Sequence, residues 1–283
     1  MPISHLTKVH AAYEYVKDTC ATELASAGAG DAILALATQS LRFLETQATY
    51  QPLVSAVPGK EYASYKLRGT VARPANTRLW MRDPELLAPL WSAMGEGQIE
   101  ASDLASMLYT VALAPCLVLE LFDRQNKKEP ATYFECLIGH IFAKRLGRSP
   151  QKKLRLSVDG EQVSLTMDFL FDLGQGHGGV HLPVKMSTRE RVVQAWAHQR
   201  ILDGAFGTGH YRGIMVSFSE TKLAKQTLKV TEICVPRQWL AYQKQLARLE
   251  AIYYFDLPDR YKEMSRKHPD LIQVREFSDY LTR

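Results

Sequence analysis

One acidic and one basic side chain fall on neighbouring predicted strands in the middle of the chain. Asp168 stands between Met167 and Phe169, and because Asp is disfavoured inside strands its position there suggests a function. Side chains alternate across a strand, so Asp168 lies on the face opposite the apolar row and is displayed rather than buried. Lys185 belongs to a later strand and can meet Asp168. A carboxylate beside an ammonium group can hold a divalent cation and neutralise developing negative charge.

Hydrophobic periodicity predicts the elements that position this pair. The predicted order is helix, hairpin, strand, helix and strand, over residues 133–146, 154–171, 182–186, 187–204 and 211–219. Asp159-Gly160 is a dipeptide suited to the two-residue turn of the hairpin. Ser187 and Glu190 have the spacing of a capping box that begins the second helix, and Gly204 is expected to end it.

This arrangement resembles the PD-(D/E)xK nuclease core, with Glu135 on the first helix, Asp168 on the hairpin and Lys185 ending the next strand. The triplet Arg189–Arg191 is similar to the Arg-acid-Arg element that follows the metal-site Lys in type II restriction endonucleases reading CC/GG steps. The resemblance covers residues 133–219 of 283. It implies an α/β fold (α+β mixed sheet) with a restriction-endonuclease-like core and a helical N-terminal extension.

The resemblance also implies Mg²⁺-dependent cleavage of double-stranded DNA. Asp168 is the expected principal metal ligand, and Glu135 is expected to bind the metal directly or through water. Lys185 would stabilise the attacking water and the negative charge that develops on the phosphate. Asp172, further along the face of Asp168, is the alternative ligand.

The chain departs from the family pattern at the second acid. The common pattern has an acid two residues before the Lys, and here that position is Pro183. The relatives that read CC/GG carry this carboxylate in the next helix, where the chain instead has Gln194, His198 and Gln199. Either Glu135 or Asp172 takes the place, or a neutral Gln or His supports a single-metal site.

Arg189, Glu190 and Arg191 begin a predicted helix, from which side chains can enter the major groove. Arg pairs with guanine O6 and N7 and Glu accepts from cytosine N4, so the triplet can read G·C pairs. The alternative is that Glu190 is only a capping residue and the arginines are surface charge. Gln194 is a further candidate for DNA contact. A palindromic target predicts a homodimer, with a tetramer also possible.

Positive charge is concentrated in one stretch. The net charge is only +5, yet residues 136–158 contain no acid and six cations: Lys144, Arg145, Arg148, Lys152, Lys153 and Arg155. Such a run suits a phosphate backbone, and the alternative is a solvated helix end and loop.

The expected division is a mainly helical N-terminal region, residues 1–125, that assists DNA contact or dimerisation, and a nuclease core with a C-terminal extension, residues 126–283. Within the first region, Pro115 is expected to interrupt an apolar helix. The four cysteines lack metal-ligand spacing, which argues against zinc and a disulfide framework. With no charged start before an apolar run and no segment of about 20 apolar residues, a cytoplasmic protein without a membrane partner is expected.

The function predicted from sequence is a type II restriction endonuclease that cuts at a short palindromic site containing CC/GG, with a cognate DNA methyltransferase implied genetically. One alternative is a repair nuclease of the same fold that selects branched or mismatched DNA. The other is a DNA-binding relative that has lost catalysis, which the missing acid at Pro183 would allow.

Overall fold

A computed structural model describes residues 2–123, 125, 128–174, 176–188, 192–224 and 226–282. The chain forms two compact units. The first comprises Met1–His140, Thr221–Ile233 and Ser278–Arg283, and the second comprises Ile141–Glu220 and Cys234–Phe277. The sequence suggested one boundary after residue 125, whereas the first unit extends to His140 and includes two later segments.

Elements are numbered in chain order. The helices of the first unit are α1 (Pro2–Glu23), α2 (Ala27–Gln47), α3 (Leu87–Glu96), α4 (Ala101–Phe122) and α9 (Ser278–Leu281), together with a 3-10 helix at Pro84–Leu86. Its strands are β1 (Thr49–Pro52), β2 (Val54–Ser55), β3 (Tyr62–Leu67), β4 (Thr70–Val71), β5 (Ala75–Asn76), β11 (Thr221–Ala224) and β12 (Lys229–Glu232). Helix α5 (Lys128–Leu146) begins in the first unit and ends in the second.

Strand pairing explains why a late segment belongs to the first unit. Strand β12 pairs in parallel with β2 and antiparallel with β11, so residues 221–233 complete a small sheet begun far earlier in the chain. Lys60 and Glu232 form a largely buried ion pair at 3.0 Å in this unit. Such pairings join residues distant in sequence, and a local reading cannot detect them.

Pro115 lies inside α4 and does not interrupt it. Proline has no backbone N–H, so the carbonyl of Val111, four residues earlier, loses its helical donor. The hydroxyl of Tyr133 on α5 donates to that carbonyl at 2.9 Å. The expected interruption is therefore wrong, because a side chain from another helix replaces the missing hydrogen bond.

By length and composition α4 could cross a membrane, yet most of its apolar stretch is buried inside the protein. The expectation that no segment reaches this length is wrong, because the helix continues through Pro115. Its apolar side chains are covered within the first unit, where α2 and α3 pack against it.

The second unit contains a seven-stranded mixed sheet. Its strands are β6 (Gln151–Val158), β7 (Glu161–Asp172), β8 (Gly179–Leu182), β9 (Val184–Lys185), β10 (Tyr211–Ser217), β13 (Ala251–Tyr254) and β14 (Val274–Glu276). The order is β14-β13-β10-β8-β7-β6, with β9 also beside β10. Strand β10 pairs in parallel with β8, β9 and β13, and β13 pairs in parallel with β14. Strand β7 pairs antiparallel with both β6 and β8. The expected α/β class with a mixed sheet is confirmed.

The hairpin predicted around Asp159-Gly160 is present. Val158 pairs with Glu161, and the two turn residues have φ angles of 50° and 85°. Positive φ at both positions is the conformation that a tight hairpin turn with the right twist requires.

Helices α6 (Val193–Phe206), α7 (Pro236–Gln245) and α8 (Asp259–Lys267) complete the second unit. Trp196, Met215, Trp239, Tyr254 and Tyr261 belong to one buried cluster on a face of the sheet, and the rings of Trp239 and Tyr261 stack at 4.1 Å. On strand β7, the ring of Phe171 stacks with Phe142 from the end of α5 at 6.5 Å. The sheet is therefore apolar on both faces.

Helix α6 begins at Val193, later than expected, and it also ends later than expected. Gly204 lies within it, and the helix ends at Phe206 before Gly207, whose φ of 91° is left-handed. The predicted capping residue Glu190 lies outside the described residues. The expected end at Gly204 is therefore wrong. An exposed glycine inside a helix costs about 1 kcal/mol relative to alanine, and the packing of the rest of the helix can offset that cost.

Candidate active site

Asp168 and Lys185 form an ion pair, with the Lys185 Nζ 2.7 Å from the Asp168 Oδ2. Asp168 comes from β7 and Lys185 from β9. The backbone N–H of Val184 also donates to Oδ2 at 2.8 Å. The side chains of Asp168 and Lys185 are 23% and 21% exposed, so both are partly shielded and still reachable from solvent. The contact expected from the sequence is present, and the catalytic roles remain predictions.

The two contacts of Asp168 fall on the same oxygen. Within the described part of the chain, Oδ2 accepts from Val184 and Lys185, and Oδ1 has no protein donor. A carboxylate held by one oxygen and open at the other suits a hard divalent cation, which prefers oxygen ligands.

Pro183 explains how Asp168 meets a backbone donor. It separates β8 from β9 and has no N–H of its own, while its carbonyl accepts from Val216 N at 2.9 Å. The first N–H after this break is that of Val184, which donates to Asp168 instead of to a neighbouring strand. Pro183, which stands where the common pattern has an acid, therefore helps to position Asp168.

Asp172 does not join this pair. It lies four residues along β7, about 13 Å away at the usual strand rise. Its exposed carboxylate accepts from Gly174 N at 2.8 Å and stabilises the following turn. The alternative ligand considered from the sequence therefore has a local structural role.

A buried histidine lies on the strand next to Asp168. His181 on β8 pairs across the sheet with Leu170 of β7 and is 1% exposed. Its Nδ1 lies 3.0 Å from Oε1 of Gln199 on α6. Burial, opposed by the bond to Gln199, lowers the pKa of His181 to about 4, so its ring is neutral at neutral pH.

His198 is half-buried on α6, with its ring centroid 6.2 Å from that of His181. Burial is the largest influence and lowers its pKa, the charge of Asp168 raises it, and that of Lys185 lowers it. The imidazole therefore lies within the electrostatic reach of both members of the ion pair.

The other predicted site residues are placed as follows. Glu135 is half-buried on α5 in the first unit, and its role as a metal ligand remains a prediction. Gln194 is exposed in the first turn of α6, as DNA contact requires. Arg189, Glu190 and Arg191 lie outside the described residues.

A buried carboxylate that the sequence did not reveal holds the residue before the Arg-Glu-Arg triplet. Glu220 is 2% exposed and accepts from Thr188 N at 3.1 Å and from Thr188 Oγ1 at 2.5 Å. The hydroxyl of Tyr254 donates to the same oxygen at 2.7 Å. Burial and the charge of Glu220 raise the pKa of Tyr254 well above its usual range, so this hydroxyl stays protonated. No local motif marks Glu220, because its partners lie 32 and 34 residues away.

The six cations of residues 136–158 are all exposed. Lys152 lies over the ring of Phe169 at 4.8 Å, and Arg148 donates to Leu173 O at 3.4 Å. Because α5, β6 and the loop between them display these cations without a nearby acid in sequence, they form a positive surface suited to phosphates.

A separate cluster lies in the first unit, where His10, Glu14 and Glu129 bring three ligand-type atoms within 4.8 Å of one another. Lys17 pairs with Glu14, and His10 lies 3.4 Å from Glu129. These ion pairs account for the cluster without a metal.

No protein-family model and no curated protein sequence matches the chain. Among solved structures, it is similar to the type IIP restriction endonuclease Kpn2I, with a TM-score of 0.82 and 25% identity over 96% of this chain and 95% of that one. It also matches the restriction endonuclease PspGI, solved as a complex with substrate DNA, with a TM-score of 0.45 and 12% identity over 70% of this chain and 89% of that one. The chain therefore has the fold of the restriction endonuclease Kpn2I over nearly its whole length.

Proposed function

We propose that this protein is a type II restriction endonuclease that hydrolyses double-stranded DNA at a short palindromic site containing CC/GG. The observation that carries the proposal is the Asp168–Lys185 ion pair, found on a fold similar to that of Kpn2I. The similarity to Kpn2I extends over nearly all of both chains, which favours a shared reaction class over a shared core alone.

The donor set fits a magnesium ion. Asp168 would hold it through Oδ1, the oxygen without a donor from the described residues. Mg²⁺ keeps several of its waters, so one or two carboxylates and a DNA phosphate suffice. When bound, the ion would supply a water activated near neutral pH and would neutralise charge on the scissile phosphate.

The residues of the chain position and stabilise the reacting groups. Val184 N–H and Lys185 fix the orientation of Asp168. The ammonium group of Lys185, held at 2.7 Å from Oδ2, is available to stabilise the negative charge that develops on the phosphate. Partial burial strengthens this electrostatic effect because water screens it less.

DNA recognition is proposed from the sequence together with the positive surface. The exposed cations of residues 136–158 would contact the backbone, and Arg189, Glu190 and Arg191 would read the G·C pairs, with Gln194 beside them. A palindromic target implies a homodimer, with a tetramer also possible. We also propose that the protein is cytoplasmic and that a cognate DNA methyltransferase protects the host sites.

Digestion of methylation-free plasmid DNA tests the proposal. The purified protein is incubated with Mg²⁺, with Ca²⁺ as a binding control, alongside Asp168→Asn and Lys185→Ala. The matched control is Asp172→Asn, which removes a carboxylate from the same strand outside the ion pair. We expect discrete bands whose sequenced ends all lie in one CC/GG-containing palindrome. Each active-site variant should lose about 100-fold or more in rate, and the control should cut normally.

The other outcomes identify the competing functions. Cleavage confined to branched or mismatched DNA would replace the restriction proposal with a repair nuclease. Sequence-specific binding without product in Mg²⁺ or Mn²⁺ would identify a DNA-binding relative without catalysis.

A further inference from the structure

The hairpin of β6 and β7 extends beyond the rest of the large sheet. Among the described residues, β7 pairs with β8 only over residues 169–172, whereas its pairing with β6 continues to Glu161. The seven steps from residue 168 back to residue 161 correspond to about 23 Å at the usual strand rise of about 3.3 Å. We refer to residues 151–166 as the arm.

The arm leaves the sheet at the end where Lys185 lies. Strand β8 runs antiparallel to β7, so from Gly179 to Leu182 it follows β7 from Asp172 back to Phe169. Strand β9 continues in the same direction, because β8 and β9 are both parallel to β10. The arm therefore extends past the side of the sheet that carries the Asp168–Lys185 ion pair.

One face of the arm is apolar and anchors it. Directly opposed residues of an antiparallel pair share a face, and every second residue along each strand joins them. Leu154 lies opposite Leu165, and Leu156 lies opposite Val163. Leu154 is buried in a cluster with Leu202 of α6, and Leu156 and Leu165 pack against this cluster. This packing determines which face of the arm points away from the core.

The opposite face of the arm is entirely exposed and contains no acid. It consists of six polar residues, namely Lys153, Arg155 and Ser157 on β6 and Gln162, Ser164 and Thr166 on β7. In the part of the chain that the structure describes, none of these six side chains has a hydrogen bond or ion pair with another protein group. Their donors and acceptors are therefore available to a ligand.

The charge and shape of this face indicate which ligand fits. The two acids of the arm lie elsewhere, since Asp159 belongs to the turn and Glu161 is opposite Val158 on the apolar face. Two cations without an acid attract a polyanion. A two-stranded ribbon fits the major groove of DNA, which is about 12 Å wide, and glutamine can pair with adenine N6 and N7 there. Serine and threonine hydroxyls can bond to the edges of any base.

Resting on the function proposed above, we propose that the arm enters the major groove and reads base pairs beside the CC/GG step through Gln162, Ser164 and Thr166. Lys153 and Arg155 hold the arm in the groove by contacts to phosphates. The pair read by Gln162 is A·T, because only adenine offers the glutamine amide both an acceptor and a donor in that geometry. The arm thus lengthens the recognised sequence beyond the CC/GG step.

Selection from a pool of random DNA duplexes tests the proposal. The full-length protein binds the pool in Ca²⁺ without Mg²⁺, and the retained duplexes are sequenced. The reading variants are Gln162→Ala and the triple variant Gln162→Ala/Ser164→Ala/Thr166→Ala. All three positions are exposed, and circular dichroism verifies that each variant is folded.

A second pair of variants measures the phosphate contacts. Lys153→Ala/Arg155→Ala removes both cations of the face. The matched control is Lys222→Ala/Lys229→Ala, which removes two exposed strand cations from the first unit. The affinity of each protein for one retained duplex is measured over a range of salt concentrations.

We expect the parent to enrich the CC/GG step together with fixed base pairs beside it, an A·T pair among them. Gln162→Ala should lower the preference for that A·T pair at least about tenfold and leave the preference for CC/GG unchanged. The triple variant should retain CC/GG and lose the flanking preference. Lys153→Ala/Arg155→Ala should weaken binding to all sequences alike and reduce the slope of log affinity against log salt by about 1.8, and the control should keep the parental slope.

The contrary outcomes separate this inference from the proposed function. If the parent enriches CC/GG alone, or if the triple variant enriches the same flanking pairs as the parent, the arm does not read bases and only the inference is wrong. A uniform loss of affinity in the triple variant, with its preferences unchanged, would likewise overturn base reading. If the parent enriches no sequence containing CC/GG, the proposed function fails and the inference fails with it.

Discussion

The buried carboxylate of Glu220 accepts hydrogen bonds from both the backbone N–H and the hydroxyl of Thr188, at 3.1 and 2.5 Å. Thr188 directly precedes Arg189, the first residue of the predicted recognition triplet. A buried charge is stable only when its hydrogen bonds are satisfied, and Tyr254 contributes one more at 2.7 Å. Thr188, the residue before the predicted recognition triplet, is thus tied to the end of the central sheet.

Glu220→Gln should destabilise the protein by about 1–3 kcal/mol, because it replaces the charge-assisted hydrogen bonds from Thr188 and Tyr254 with weaker neutral ones and puts an NH₂ group where Oε2 accepts from Thr188 N at 3.3 Å. Urea unfolding measures the change. Ser187→Ala, beside Thr188 and only half-buried, should stay within about 0.5 kcal/mol of the parent. In cleavage assays, Glu220→Gln should reduce discrimination between related sites more than the rate at the best site, and an unchanged stability would contradict this account.

The stability of the metal-free protein should fall as pH is lowered from about 6.5 toward 4, in part because of His181. Burial lowers the pKa of His181 to about 4, so in this range the unfolded chain binds a proton that the folded chain does not. The stabilisation is complete above pH 6.5 and is lost progressively down to pH 4, by up to about 3 kcal/mol. The free energy of unfolding is measured across this range for the parent and for His181→Asn, which cannot titrate. Parallel pH profiles for the two proteins would show that His181 does not titrate in this way.

Tyr133→Phe should cost about 1–3 kcal/mol by leaving the Val111 carbonyl without a donor inside the first unit. In a Pro115→Ala background, the restored backbone N–H of residue 115 can donate to Val111, so the same substitution should cost much less. A double-mutant cycle of thermal or urea unfolding gives the difference. Equal costs in the two backgrounds would mean that the tyrosine does not replace the missing hydrogen bond.

Gly213→Ala should destabilise the second unit by about 1–3 kcal/mol, because its Cβ would lie 2.5 Å from Gln199 Oε1 and 2.6 Å from Leu249 Cδ2. Gly204→Ala is the matched control. Gly204 lies inside α6 with no atom within 4 Å of an added Cβ, so alanine there should stabilise by about 0.5–1 kcal/mol. The two substitutions therefore have opposite predicted signs in unfolding experiments, and a Gly213→Ala protein as stable as the parent would disprove the close approach of Gln199.

The part of the site that the sequence revealed is the part written in local patterns. Alternation and an Asp159-Gly160 turn predicted the hairpin, and alternation also placed Asp168 on the face where Lys185 reaches it. The fold class was implied by the resemblance to the PD-(D/E)xK core, which the order of these elements and their Glu, Asp and Lys residues supported. Such patterns depend on residues close in sequence, where periodicity is a dependable guide.

The remaining features depend on partners that are distant in the chain. The hydroxyl of Tyr133 lets α4 pass through Pro115, and nothing near the proline indicates this. Glu220 resembles any surface acid in the sequence until the fold buries it beside Thr188. The pairing of β12 with β2 likewise assigns residues 221–233 to a unit that the linear order would not suggest.

Strand β6 forms an outer edge of the large sheet, with β7 on its inner side. An exposed edge has unpaired backbone groups that invite another strand to add, and charged side chains are a common defence against such addition. Lys152, Lys153 and Arg155 on β6 would bring like charges together if two copies met edge to edge. The positive surface suited to DNA therefore also protects the protein from self-association through its sheet, and the backbone of a nucleic acid, which lacks strand-pairing groups, can approach this edge without extending the sheet.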